Sequence, residues 1–307
     1  MLVGVLGDST LDLIARPGAE IRPRGDISAG LALGPGGQGA NVAVRLARRG
    51  VRVRLVSALG DDPAGRLLIA ALAAEGIELV PLAAARTGMV LSLLDSNGER
   101  TMLSDRVAFG AEAVALAAAG AGWVHVSGYL LADPEFCDAT AHHLGLLDPA
   151  VRVSIAGGSF APDHGGAERL RARLRAADPD LLVVSLAEAD ALLSEPRGSP
   201  APAAAALDAA LPGRLVVVTD GSSGAAASGH GITLSLPAAE PSLMVVDATG
   251  AGDAYAAALI AALSASPWPP DRQTLRAAMA DADRLGALVC GVVGAQGRVT
   301  GEAEPVP

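Results

Sequence analysis

At 307 residues, with 51% of them hydrophobic and only 2% aromatic, the chain can build one large α/β domain or two average ones. A formal net charge of −10 argues against a nucleic-acid backbone or an anionic membrane as partner. All 23 basic residues are arginine, which excludes a Schiff-base or P-loop lysine; two cysteines, Cys137 and Cys290, make neither a disulfide framework nor a zinc site.

The apolar run at 1–7 has strand length and meets Asp8 with no basic region ahead of it, so no targeting segment is read there. Residues 12–35 are polar and punctuated by Gly and Pro. A helix is expected over 40–50, a strand over 52–60 and a second helix over 64–76. Residues 86–108 carry short alternating runs, with the hairpin signal Asn97-Gly98 between them. The apolar stretch 113–132 is interrupted by Gly120, Gly122, His125, Ser127 and Gly128, and reads as helix, turn and buried strand rather than a membrane span. Further strands are expected over 151–157, 180–186 and 214–219, with a helix over 167–178 and a surface loop at 194–206 leading into another.

Such alternation predicts βαβ units and a mostly parallel sheet covered on both faces. The segments 12–35 and 86–108 are read as a small layer of antiparallel strands inserted into one domain spanning 1–307. The arginines at 169, 171, 173 and 175 alternate and read as a solvated helix surface. His142 and His143 have no metal-spaced partner, and His125 and Ser127 lack a third member for a hydrolase triad. The protein is expected to be soluble and cytoplasmic.

Two glycine motifs carry chemistry. Gly34 to Asn41 satisfies G-x-G-x-x-G, with Asp61 about twenty residues on, which allows a dinucleotide site or simply a tight turn entering a helix. The second, Asp247-Ala-Thr-Gly-Ala-Gly-Asp253-Ala-Tyr255, runs into the helical stretch at 256–263. Gly250 and Gly252 permit close backbone approach, and amides at a helix N-terminus suit a phosphoryl group. Asp253 in that first turn is either a cap or a general base beside an anion hole; the clustering favours the base.

Together, in order, and with Gly7-Asp-Ser-Thr-Leu-Asp12, Gly60 to Gly65 and Gly98 to Leu103, these motifs resemble the PfkB carbohydrate kinases over nearly the whole chain. The resemblance implies a ribokinase-like three-layer α/β/α domain with a mostly parallel central sheet and a small β-sheet lid. It implies ATP-dependent transfer of the γ-phosphoryl group to a hydroxyl of a small sugar or sugar acid, with ATP and Mg²⁺ as cofactors. By the same resemblance, Asp253 is the base and Gly250, Ala251 and Gly252 the anion hole. Asp12, Gly36, Gly37, Gln38 and Asn41 would bind substrate; Thr219, Gly221 and Gly224 would hold ATP. Asp247 and Thr249 fall at positions that bind a monovalent cation such as K⁺ in many members.

The family's N-x-x-E motif is altered in the stretch from Ser185 to Asp190. One register places Ala187 and Asp190 at the ATP and Mg²⁺ positions, and a shifted one places Ser185 and Glu188 there; the asparagine is absent in both. Tyr255 stands where Phe is common, and Arg298 where a small residue often closes the cation site. Other readings are a nucleoside kinase of the same family, a catalytically weak sugar or nucleotide sensor, and a nicotinamide-dependent oxidoreductase built on the first motif. The low aromatic content leans away from a nucleoside. Arg100 and Arg106 in the lid are candidates to meet an acidic group on the substrate, and a homodimer through the lid is a further expectation.

Overall fold

The structure, a computed structural model, describes residues 1–94, 100–132, 137–158, 166–239 and 245–302. In chain order its strands are β1 (Leu2–Leu6), β2 (Thr10–Pro17), β3 (Ala29–Gly36), β4 (Arg52–Gly60), β5 (Glu78–Ala84), β6 (Gly88–Leu94) and β7 (Arg100–Asp105). There follow β8 (Trp123–Ser127), β9 (Arg152–Ala156), β10 (Leu181–Ser185), β11 (Leu215–Thr219), β12 (Ala225–Gly229) and β13 (Ile232–Leu236). The helices are α1 (Gln38–Arg48), α2 (Pro63–Ala74), α3 (Ala113–Ala118), α4 (Gly128–Ala132) and α5 (Cys137–Gly145). The rest are α6 (Ala167–Ala177), α7 (Leu186–Leu193), α8 (Pro200–Ala210), α9 (Ala251–Ser264) and α10 (Arg272–Val289).

Nine strands form the main sheet in the order β13-β12-β11-β10-β9-β8-β1-β4-β5. From β11 to β5 every pairing is parallel; only the β11–β12 and β12–β13 pairings are antiparallel, so β12 alone runs against the rest. The reason lies in the side chains. Val3 and Val5 enter one core layer and Leu6 the other, and the same division separates Val183 from Val184 and Val217 from Val218. A strand buried on both faces reads as a continuous apolar run. Helices α1, α9 and α10 cover one face, and α3, α5, α6 and α8 the other, giving the α/β/α layering.

The second sheet has the order β3-β2-β6-β7. Its β2–β3 and β6–β7 pairs are antiparallel, but β2–β6 is parallel, against the all-antiparallel expectation. The cause is connectivity: β2 follows β1 and β6 follows β5, so both leave the carboxyl ends of parallel strands in the same direction. The Asn97-Gly98 turn lies outside the described residues. Strand β3 delivers the first glycine motif from this small sheet rather than from the parallel sheet, and Asp61 is solvent-exposed and paired with Arg66 at 2.8 Å. The Rossmann context required for a dinucleotide site is therefore missing.

Local signals position the helix starts. Asp62 caps α2 by accepting from the Gly65 amide at 2.8 Å, ahead of Pro63 at the first helical position. Asp271 caps α10 through the Thr274 amide at 2.7 Å. In α6 the arginine run is not uniformly solvated: Arg173 is buried, donating to Asp138 at 2.7 Å and to the Leu131 carbonyl at 2.7 Å. Among the described residues, no helix is long and apolar enough to cross a membrane.

Candidate active site

The carboxyl ends of β8 to β11, the N-termini of α1 and α9, and one face of the small sheet converge on a cavity of about 290 Å³. Two of its corners depend on glycine. Gly37, with φ of 94°, caps α1 where a Cβ would lie 2.5 Å from the Asp8 carbonyl; Gly250, with φ of 80°, opens α9 where a Cβ would meet that of Ala295 at 2.5 Å.

Asp253 stands in the first turn of α9 and borders this cavity. Its Oδ2 accepts from Asn41 Nδ2 at 2.7 Å, so Asn41 joins the N-termini of α1 and α9. Both helix ends place positive dipole there. Of the predicted anion-hole residues, Gly250 and Gly252 border the cavity, and a Cβ on Gly252 would meet nothing within 4 Å. The Ala251 amide instead donates to the Ala248 carbonyl at 3.3 Å, and Ala251 lines a second cavity.

Asp12 reaches the cavity from β2 and accepts from Thr10 Oγ1 at 2.6 Å. Gly36 sits directly beneath it: a Cβ there would lie 2.1 Å from Asp12 Oδ2. Gln38 bridges the start of α1 to the main sheet, donating to the Gly157 carbonyl and accepting from Ser127 Oγ. Arg106, just after β7, pairs with Asp8 and lies 3.7 Å above the Tyr129 ring. Burial lowers its pKa, with Tyr129 and then Asp253 acting in the opposite direction.

Of the two registers between 185 and 190, only Ser185 and Glu188 border the cavity. They form a capping box at α7: Glu188 Oε2 accepts from the Ser185 amide at 2.8 Å and its hydroxyl at 2.9 Å. Ala187 faces solvent, and Asp190 accepts from the Arg197 amide at 2.9 Å. The physical reason is the cap itself, which points the third residue of the helix back over the strand end. Asp247 and Thr249 bond to each other, and Asp247 Oδ2 accepts from the Gly294 amide at 2.9 Å. Among the described residues, no cluster of three or more His, Cys, Asp or Glu side chains could hold a metal on its own.

The second cavity, about 500 Å³ and mainly apolar, adjoins the first and shares Thr219, Ala248 and Gly252 with it. Gly221 and Gly224 line one side; Gly286, Ala287 and Cys290 of the α10 end line the other. Burial raises the Cys290 thiol pKa and that of the Tyr255 hydroxyl at its edge. Sequence reasoning missed the α10 wall, because Gly-Ala steps in a helix read as ordinary packing. It also missed Gly157 and Gln296.

Residues 2–300 match the pfkB family carbohydrate kinase. The chain belongs to that family. As a PfkB carbohydrate kinase it is an ATP-dependent enzyme, and its relatives agree. It is 35% identical to a fructokinase of Klebsiella pneumoniae over 95% of this chain and 94% of that one. Its fold resembles an adenosine kinase of Sinorhizobium meliloti with a TM-score of 0.79, at 22% identity over 97% and 96% of the two chains. A ribokinase of Thermotoga maritima gives a TM-score of 0.75, at 21% identity over 96% and 95%. At such identities these two show that this PfkB kinase has the ribokinase-like fold.

Proposed function

We propose that this kinase phosphorylates a neutral sugar, a ketohexose such as D-fructose, with Asp253 as the general base. The observation that carries this reading is the place of Asp253, beside Gly252 where the polar and apolar cavities adjoin. A hydroxyl held in the polar cavity can give its proton to Asp253 as it attacks. Asp12 and the Gly37 amide region orient the sugar. The apolar cavity takes the nucleoside, between the Gly221–Gly224 turn and α10, with the phosphates directed toward Gly252 and the α9 N-terminus. Charge developing on the transferred group meets the dipole of that helix.

Mg²⁺ supplies charge neutralisation on the phosphates. The donor set fits an ion held mainly by phosphate and water, with the Ser185–Glu188 box as its protein neighbour, since Mg²⁺ seldom takes an all-protein cage. For K⁺ the candidate donors are Asp247 and Thr249, whose side chains already bond to each other. The acceptor is read as neutral because Arg106 is met by Asp8, while Asp12, Glu188 and Asp253 also border the cavity. The fructokinase relative supports fructose among neutral sugars.

The outward face of the small sheet supports a homodimer. Leu33, Leu13, Leu91 and Leu103 stand in register across its four strands, and Leu33 and Leu103 are 58% and 57% exposed. A second copy of the same face would cover them. A cytoplasmic location suits the ATP requirement.

The deciding experiment is an ADP-release assay with ATP and Mg²⁺, with and without K⁺. Its acceptors are fructose, ribose, 2-keto-3-deoxygluconate, fructose 6-phosphate and adenosine. Turnover of fructose that disappears in Asp253→Asn is expected; preference for an anionic acceptor would overturn the neutral-sugar reading.

A further inference from the structure

We infer that Gln296, in the loop after α10, is a positioning residue for the Asp253 carboxylate, acting through the side chain of Asn41. The inference rests on Asp253 as the proton acceptor proposed above. Asn41 Nδ2 donates to Asp253 Oδ2 at 2.7 Å, and Gln296 Nε2 donates to Asn41 Oδ1 at 3.0 Å. A primary amide has one donor end and one acceptor end. With Gln296 holding the acceptor end, only the donor end of Asn41 can face the carboxylate. Turned through half a circle, the amide would set oxygen against Asp253 and N–H against N–H at Gln296. Gln296 therefore reinforces the orientation that holds Asp253 in place while a substrate hydroxyl competes for it.

The loop carrying Gln296 is itself fixed, and by the same helix. Arg45 Nη2 donates to the Ala295 carbonyl at 2.7 Å and the Gly297 carbonyl at 2.8 Å, one on each side of Gln296. Arg48 Nη1 donates to the Gln296 carbonyl at 2.9 Å. Asn41, Arg45 and Arg48 are spaced four and three residues apart, so they share one face of α1. Arg45 is fully buried and paired with Glu302 at 2.6 Å. One helix face thus supplies both the amide that touches Asp253 and the guanidinium frame that holds the residue orienting that amide. All three frame contacts to the loop go to main-chain carbonyls, so changing the side chain at 296 removes the amide and leaves the frame.

The test is ligand-free. Protein labelled with [γ-¹³C]aspartate is titrated, and the Asp253 resonance is taken as the signal missing from Asp253→Asn. Gln296→Met is compared with wild type, with Asn41→Leu and with the double variant. Arg45 on α1 and Arg106 after β7, whose charges act on Asp253, remain in every variant, as do the cavity carboxylates Asp12 and Glu188. The expected result is an upward move of the Asp253 midpoint in Gln296→Met, because the carboxylate loses a well-aligned donor. Adding Gln296→Met to Asn41→Leu should move it no further. With D-fructose and Mg-ATP, kcat should fall roughly 10-fold while KM for fructose stays within about 2-fold.

An unmoved midpoint in folded Gln296→Met overturns the inference. If that variant does not fold, Gln296→Leu, which is uncharged and shorter, removes the same amide, and the same upward move is required of it. Full fructose turnover by Asp253→Asn would instead remove the general-base reading. An inactive Asp253→Asn beside an unmoved Gln296→Met titration would remove this inference alone.

Discussion

A Cβ on Gly157 would lie 2.0 Å from Oε2 of Glu188, so the bare backbone at the end of β9 is what lets the α7 capping carboxylate reach the cavity. Replacing Gly157 by alanine should push Glu188 aside while leaving the main-sheet core intact. The expected outcome is a higher Mg²⁺ requirement and roughly 10-fold or greater loss of kcat, with an unfolding midpoint lowered by no more than the loss of one helix cap, about 1 kcal/mol. Glu188→Gln should raise the Mg²⁺ requirement in the same way. Mg²⁺ titrations of ADP release that superimpose on wild type would remove Glu188 from the metal's surroundings.

Asp253→Asn should lower kcat by about 10²–10⁴ while ATP still binds, because the amide keeps the size of the carboxylate but cannot accept the proton. Calorimetry with ATP and steady-state kinetics on the same preparation separate the two effects.

His125 predicts a pH dependence of stability. It is fully buried in β8, with Nδ1 3.0 Å from Ser154 Oγ, and burial pushes its pKa from 6.5 down to about 3. Above pH 6.5 the ring is neutral in both folded and unfolded chains, and its contribution is complete. As pH falls from 6.5 toward 3, the unfolded chain takes up a proton that the folded chain refuses, so stability declines by up to about 1.4 kcal/mol per pH unit. Urea midpoints at pH 7.5, 6.5 and 5 should fall in wild type and fall less in His125→Asn. Equal slopes would show that other groups govern the acid limb.

The leucines on the outer face of the small sheet predict the oligomeric state. Leu33→Ser with Leu103→Ser should convert a dimer to monomers in sedimentation velocity, since removing two exposed apolar side chains per copy weakens a self-complementary face. A wild type already monomeric at high micromolar concentration would refute the proposed pairing.

Much of the main sheet was legible because its strands are buried on both faces and read as short apolar runs between helical stretches, as at Val216–Val218. The direction of β6 was not legible, since an alternating strand looks the same in a parallel or an antiparallel pair. Around the cavity, the glycines and Asp253 announce themselves because they lie within a few residues of one another. Ser185 and Glu188 were ambiguous for a different reason: two pairs of the same spacing overlap there, and only the cap geometry tells which one faces inward. Arg106 is distant in sequence from both Asp8 and Tyr129, and nothing local marks it as the partner of either.

The tie between Asn41 and Gln296 spans 255 residues, and Arg45 reaches still further, to Glu302. Contacts of such separation are non-local, and their loop closure must be met before the contacts reward it. During synthesis, α1 emerges with Arg45 and Arg48 lacking the carbonyls and carboxylate they will hold. The acceptor cavity can therefore take its final shape only once residue 302 has left the ribosome. Chains terminated between residues 253 and 295 would carry both glycine motifs and still lack Gln296 and Glu302, the residues that hold Asn41 and Arg45 in place.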